Sequence, residues 1–219
     1  MMGFEVYLKG IPNLHSWDGG KTWNTGGFEA PELRQLYEFV HRCGSEEATI
    51  LETGAGNSTL AFLYARPKKL IAIAPDSSLR DRILGFCEVN GIDPSLLDFY
   101  VERSEWVLPE LARSGLKVDL ALIDGGHGWP TVFVDFCYIN SMLRCGGILI
   151  LDDIDLYSVK ELGRLLERDT YRFNVMMEFG NGKSIAFTKL TDEQFLDEWT
   201  GQPYIVEQSR ERIRGLVRR

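Results

Sequence analysis

The stretch Ile50-Leu51-Glu52-Thr53-Gly54-Ala55-Gly56-Asn57-Ser58-Thr59 constrains the fold of this chain more than any other. An apolar run of strand character breaks into a turn with two glycines, and the turn opens at once into a helical pattern through Leu60, Phe62 and Leu63. Gly54 and Gly56 permit a tight turn and close backbone approach to a ligand, Asn57 or Ser58 can cap the helix, and Pro67 stops it. A second apolar run, Leu70-Ile71-Ala72-Ile73-Ala74, leads to Asp76. That acid falls about 20 residues beyond the glycines, where a doubly wound sheet carries its ribose-binding carboxylate. Strand, glycine turn, helix, strand and acid in this order read as a nucleotide-cofactor site.

The rest of the chain continues the alternation. Residues 49–53, 69–74, 98–103, 118–123 and 147–152 read as strands. Helices are expected over 77–90, with Leu79, Ile83 and Cys87 at helical spacing, over 130–143 and near 158–168. Alternating strands and helices imply a parallel sheet covered on both faces. Two further strands, 171–179 and 184–189, flank Gly180-Asn181-Gly182, a tight-turn signal for an antiparallel hairpin.

Three segments follow: an arm or lid over 1–30, rich in Gly and holding Trp17 and Trp23; a main domain over 31–190; and a helical tail over 191–219, whose default reading is a solvated helix or contact with a second copy in a homodimer. A net charge of −8 without a Lys/Arg run disfavours nucleic acid. No apolar stretch reaches the length of a membrane span and the start has no basic region followed by an apolar one, so a cytoplasmic protein is expected. Cys43, Cys87, Cys137 and Cys145 form no CxxC pair and read as reduced, buried thiols.

A dinucleotide-binding turn wants a third glycine near Thr59 and has no carboxylate at the end of its first strand, where this chain has Glu52. With Glu52, Gly54 and Gly56 in the form [DE]-x-G-x-G, the chain resembles the class I S-adenosylmethionine-dependent methyltransferases over roughly residues 30–190. The resemblance implies an α/β fold with a doubly wound, mostly parallel seven-stranded sheet in the order 3-2-1-4-5-7-6. It also implies that Gly54, Gly56, Asn57 and Ser58 receive the methionine carboxylate at the helix start and that Glu52 serves the amino group directly or through water. Such enzymes place a ribose acid directly at the end of strand two, where this chain has Ala74, so Asp76 either binds ribose with shifted geometry or caps the next helix. Ser104 falls where an adenine contact is expected, and Trp106 packs either on the adenine ring or in the core.

The fourth strand ends Ile123-Asp124-Gly125-Gly126-His127 and the fifth Leu151-Asp152-Asp153-Ile154-Asp155. Ligands of an open parallel sheet lie beyond the carboxyl ends of its strands, so these acids should meet in space. Together and uncompensated they would repel; a hard divalent ion held by oxygen ligands would neutralise them. Asp124, Asp152 and Asp153 match the magnesium-binding acids of the macrocin- and mycinamicin-type sugar O-methyltransferases, and His127 matches the histidine that acts there as general base beside Asp124. Each has a plainer reading. The aspartates, Asp155 above all, can cap loops, and His127 and Asp135 can be structural. His15 and His41 lack such context and read as surface or structural residues.

The expected activity is methyl transfer from S-adenosylmethionine to a hydroxyl of a small acceptor, with Mg²⁺ or a similar cation. An NAD-binding oxidoreductase and a catalytically silent cofactor-binding domain are the alternatives.

Overall fold

A computed structural model describes residues 2–193, 195, 198–202 and 204–209. Seven strands form one sheet: β1 (Thr49–Thr53), β2 (Lys69–Ile73), β3 (Leu97–Tyr100), β4 (Val118–Ile123), β5 (Leu143–Leu151), β6 (Phe173–Phe179) and β7 (Ser184–Lys189). Their order is β3-β2-β1-β4-β5-β7-β6. The first five run parallel, and β7 lies antiparallel to both β5 and β6.

Period-two alternation sorts each central strand between two cores. Ile50, Leu120, Leu122, Ile148 and Ile150 face one side, with α2 (Ala30–Arg42), α3 (Asn57–Tyr64) and α4 (Ser77–Asn90) packed against them. Leu51, Ala121, Ile123, Leu149 and Leu151 face the other, under α5 (Ser104–Arg113), α6 (Thr131–Met142) and α7 (Tyr157–Arg168). Both faces being covered is why these strands read as continuous apolar runs.

Several boundaries differ from the sequence reading. The third strand ends at Tyr100, because Glu102 accepts the Arg103 N–H (2.8 Å) and turns the chain into α5. The fifth begins at Leu143, paired with Val118, and passes through a bulge with Gly146 at φ 82° before Ile148 rejoins the ladder. Of the expected helical tail, residues 204–209 are helical and 210–219 lie outside the described residues. Cys137 and Cys145 are exposed, against the expectation of burial, since one lies on the outer face of α6 and the other in the bulge of β5.

The amino-terminal arm joins the first core. After α1 (Phe4–Tyr7), Tyr7, Leu14 and Phe28 are buried with the α2 and α3 side chains. Asn57 fastens it: the amide nitrogen donates to the carbonyls of Pro12 (3.0 Å) and Thr25 (2.7 Å), and the amide oxygen accepts from the Tyr7 hydroxyl (2.9 Å). From α4, Arg82 donates to the Leu14 carbonyl and stacks over Trp23. No helix among the described residues is long and apolar enough to cross a membrane.

Candidate active site

A cavity of about 810 Å³ opens beyond the carboxyl ends of β1, β2 and β4. Gly54, Ala55, Gly56 and Ser58 form one wall and Asp76 and Ser104 another. Asp124, His127 and Asp153 reach it from the ends of β4 and β5. The glycine turn is tight for a visible reason. Gly54 has φ 87°, and a Cβ there would lie 2.3 Å from the Asp124 carbonyl oxygen. The ends of β1 and β4 therefore approach more closely than any side chain allows.

Thr59, standing where a dinucleotide turn has glycine, takes a structural part. Its hydroxyl accepts the Gly56 N–H (2.9 Å) and donates to Glu52 (2.5 Å), while Ser58 donates to the other Glu52 oxygen (2.7 Å). Glu52 is fully buried and does not line the cavity. Burial pushes its carboxyl up to about 8 against the lowering by the two hydroxyls. The acid expected to serve a cofactor amino group instead locks the helix start from behind, and the cap is Gly56, not Asn57 or Ser58. Asn57 borders the cavity, but its side chain is committed to the arm.

Asp76 caps α4, accepting from the N–H groups of Ser78 (2.8 Å) and Leu79 (3.1 Å) with one oxygen; the other faces Arg82 at 3.2 Å. It also borders the cavity, so capping and ligand contact are compatible. Ser104 lines the same wall. Trp106 does neither of the things expected of it: it is 67% exposed and does not line the cavity, while its neighbours Val107 and Leu108 are buried.

At the floor, His127 lies between two carboxylates, Nε2 3.5 Å from Asp124 and Nδ1 3.5 Å from Asp153. These distances exceed good hydrogen bonds, and Nε2 is buried with no hydrogen-bond partner. Interaction with Asp124 raises the imidazole pKa, opposed by burial, and burial raises that of Asp124. The Ser158 hydroxyl donates to the His127 carbonyl and pins the loop. Asp153 adopts φ 57°, a left-handed conformation that aims its carboxylate at the histidine. Below lies Asp135, fully buried, its carboxyl pushed up to about 6 by burial while the Ser104 and Thr53 hydroxyls draw it down.

The three expected metal ligands do not converge. Asp152 is 1% exposed, with one oxygen on Lys183 Nζ (2.8 Å) and the other accepting from the Ser184 hydroxyl. The group whose ligand atoms come within 4.8 Å of one another is Asp124, His127 and Asp153. Asp155 is exposed and outside the cavity. His41 is exposed and bonded to Ser45, whereas His15 lines the cavity, its ring against Gly56 and stacked on Trp17. Sequence reasoning missed His15 and Phe28 as wall residues, and Lys183 as the partner of the acids. The arm's aromatic and glycine content was the only signal for the first two.

The strand order and the glycine turn at the end of β1 are those of the class I methyltransferase fold. The comparisons agree: residues 51–154, from β1 to the turn after β5, match the model of a family described as a methyltransferase domain. No curated protein matches the sequence. Among solved structures, the O-methyltransferase TomG from Streptomyces achromogenes, involved in tomaymycin synthesis and in complex with SAM, is 17% identical with a TM-score of 0.64, covering 87% of this chain and 100% of that one. A putative O-methyltransferase from Klebsiella pneumoniae is 14% identical, TM-score 0.63, over 86% and 90%. An rRNA methylase from Streptococcus thermophilus is 19% identical, TM-score 0.57, over 72% and 95%. Identities this low speak for the fold alone.

Proposed function

We propose that the chain transfers a methyl group from S-adenosylmethionine to a hydroxyl of a small acceptor, with His127 as general base. The observation that carries this is the buried, unpartnered Nε2 of His127 at the floor of the cavity. A buried imidazole nitrogen without a partner costs about 1–3 kcal/mol, and an acceptor hydroxyl would satisfy it. The N–H groups of Asn57 and Ser58 at the start of α3 receive the methionine carboxylate, Asp76 the ribose through the oxygen facing Arg82, and Ser104 the adenine side, with His15 and Phe28 closing the wall.

In the reaction, Nε2 takes the acceptor's proton as its oxygen attacks the methyl carbon; the C–S bond breaks with its electron pair going to sulfur, leaving S-adenosylhomocysteine. Asp124 and Asp153, one on either side of the ring, favour the imidazolium so formed. No acid is needed for the leaving group, so positioning supplies much of the rest.

A divalent cation at the same floor is the second reading. Asp124, His127 and Asp153 are the residues that would hold it, and an imidazole among the donors widens the choice from Mg²⁺ to transition ions. Such an ion would make the acceptor hydroxyl more acidic. Against NAD binding stands Thr59, whose hydroxyl is built into the turn in place of the third glycine. An acidic chain also fits a small acceptor better than a nucleic acid.

Calorimetry with S-adenosylhomocysteine and NAD tests the cofactor, with tight binding of the first alone expected. Labelled methyl transfer across sugars, phenols and other hydroxylated metabolites tests the class. Tight NAD binding without S-adenosylhomocysteine binding would return the chain to the oxidoreductase reading; binding without turnover on any acceptor would leave the silent domain.

A further inference from the structure

The acid cluster at the ends of β4 and β5 already contains a cation. Lys183, the last residue before β7, places Nζ 2.8 Å from Asp152 and 3.2 Å from Asp153. Its backbone and its ammonium are both held. Its N–H donates to the Gly180 carbonyl (3.0 Å), its carbonyl accepts the Ile154 N–H (2.9 Å), and its ammonium lies 5.0 Å over the Phe28 ring of the arm. A Cβ on Gly27 would come within 3.1 Å of that ammonium, so the arm closes directly upon it. Ser184 occupies the remaining oxygen of Asp152.

We propose that Lys183 is the resident cation of this site, standing where a divalent ion would otherwise neutralise the acids, and that methyl transfer here runs without metal. An incoming ion at Asp124, Asp152 and Asp153 would have to displace the ammonium from both of its carboxylates. At Asp124, His127 and Asp153 it would face an ammonium 3.2 Å from a ligand carboxylate. Like charges at such separations repel strongly in a partly buried site. Lys183 also positions the base: by holding one Asp153 oxygen it turns the other toward His127 Nδ1. The metal-free transfer and this last step rest on the methyl-transfer reading; the occupation of the acid cluster by Lys183 does not.

The test is Mn²⁺ uptake, followed by electron paramagnetic resonance of the free ion, in wild type, Lys183→Met, Lys183→Gln and Lys183→Arg, with S-adenosylhomocysteine calorimetry on each. Wild type and Lys183→Arg should take up no Mn²⁺ at millimolar ion. Lys183→Met and Lys183→Gln should bind it roughly tenfold or more tightly than wild type, an affinity lost again when Asp153→Asn is added. A role in stability alone would not create a metal site. Mn²⁺ binding by wild type that Asp153→Asn abolishes, or neutral variants that bind no better than wild type, would overturn the proposal. Two neutral variants guard against one failing to fold, and the wild-type result decides by itself if it is positive. Failure of S-adenosylhomocysteine to bind wild type would sink the methyl-transfer reading and leave the Mn²⁺ outcome to judge Lys183 separately.

Discussion

Replacing Glu52 by Gln should make the protein more stable at alkaline pH and leave it nearly unchanged at acid pH. Glu52 is fully buried, and burial lifts its carboxyl from 4.5 to about 8 in the folded chain. Between those values the folded chain keeps a proton that the unfolded chain has released. Unfolding therefore releases a proton, and stability falls as pH rises through this window, by about 1.4 kcal/mol per unit. Across the window the loss approaches roughly 3–5 kcal/mol by pH 8, a large part of the usual 5–15 kcal/mol of a domain. Gln keeps the size and can still meet the Ser58 and Thr59 hydroxyls, so at pH 5 the variant should lie within about 1 kcal/mol of wild type. At pH 8 it should exceed wild type by several. The assay is urea unfolding followed by tryptophan fluorescence at pH 5, 6, 7, 8 and 9, read as the difference between the two proteins. Asp124 and Asp135 are also raised, but they titrate in both proteins and cancel to first order in the difference. A difference that stays flat with pH would refute the argument, and would mean that the two hydroxyls stabilise the carboxylate enough to keep it ionised inside the fold.

Gly54→Val should abolish S-adenosylhomocysteine binding and destabilise the fold by roughly 2–4 kcal/mol, from left-handed strain together with overlap of the Asp124 carbonyl; calorimetry and urea unfolding check it. Once an acceptor is found, His127→Ala should lower kcat by roughly 10²–10⁴-fold with cofactor affinity kept, and an unchanged rate would assign the proton to another group. Because Asp124 raises the His127 pKa, the rate should climb with pH through a midpoint above 6.5, shifting downward in Asp124→Asn. Asn57→Ala removes three hydrogen bonds to the arm and should cost about 1–3 kcal/mol, exposing residues 8–28 to limited proteolysis; an unchanged cleavage pattern would mean that the aromatic contacts of α1 suffice.

What could be read from the sequence was whatever depends on local order. The run from Ile50 to Asp76 gave the turn, the helix and the cavity wall because each part is encoded within a few residues of the next, and the acids after β4 and β5 followed from strand polarity alone. What stayed hidden depends on which way a side chain turns. Glu52 alternates away from the cavity, and its hydroxyl partners become visible only when the first turn of α3 is wound. Asp152 and Asp153, adjacent in sequence, share the Lys183 ammonium but give their other oxygens to different partners, Ser184 and His127. The partner of Asp152 was hidden by pairing rather than distance along the chain. Once β7 is known to lie antiparallel to β5 with Leu151 opposite Ile185, carrying that register two residues further sets Ser184 against Asp152 and Lys183 against Asp153. A row of strand-end acids is thus an incomplete statement of charge until the neighbouring strand is placed. Here that strand arrives from a hairpin and brings its own ammonium, and on the proposal made above this is what lets three acids that call for a metal in the sequence do without one in the fold.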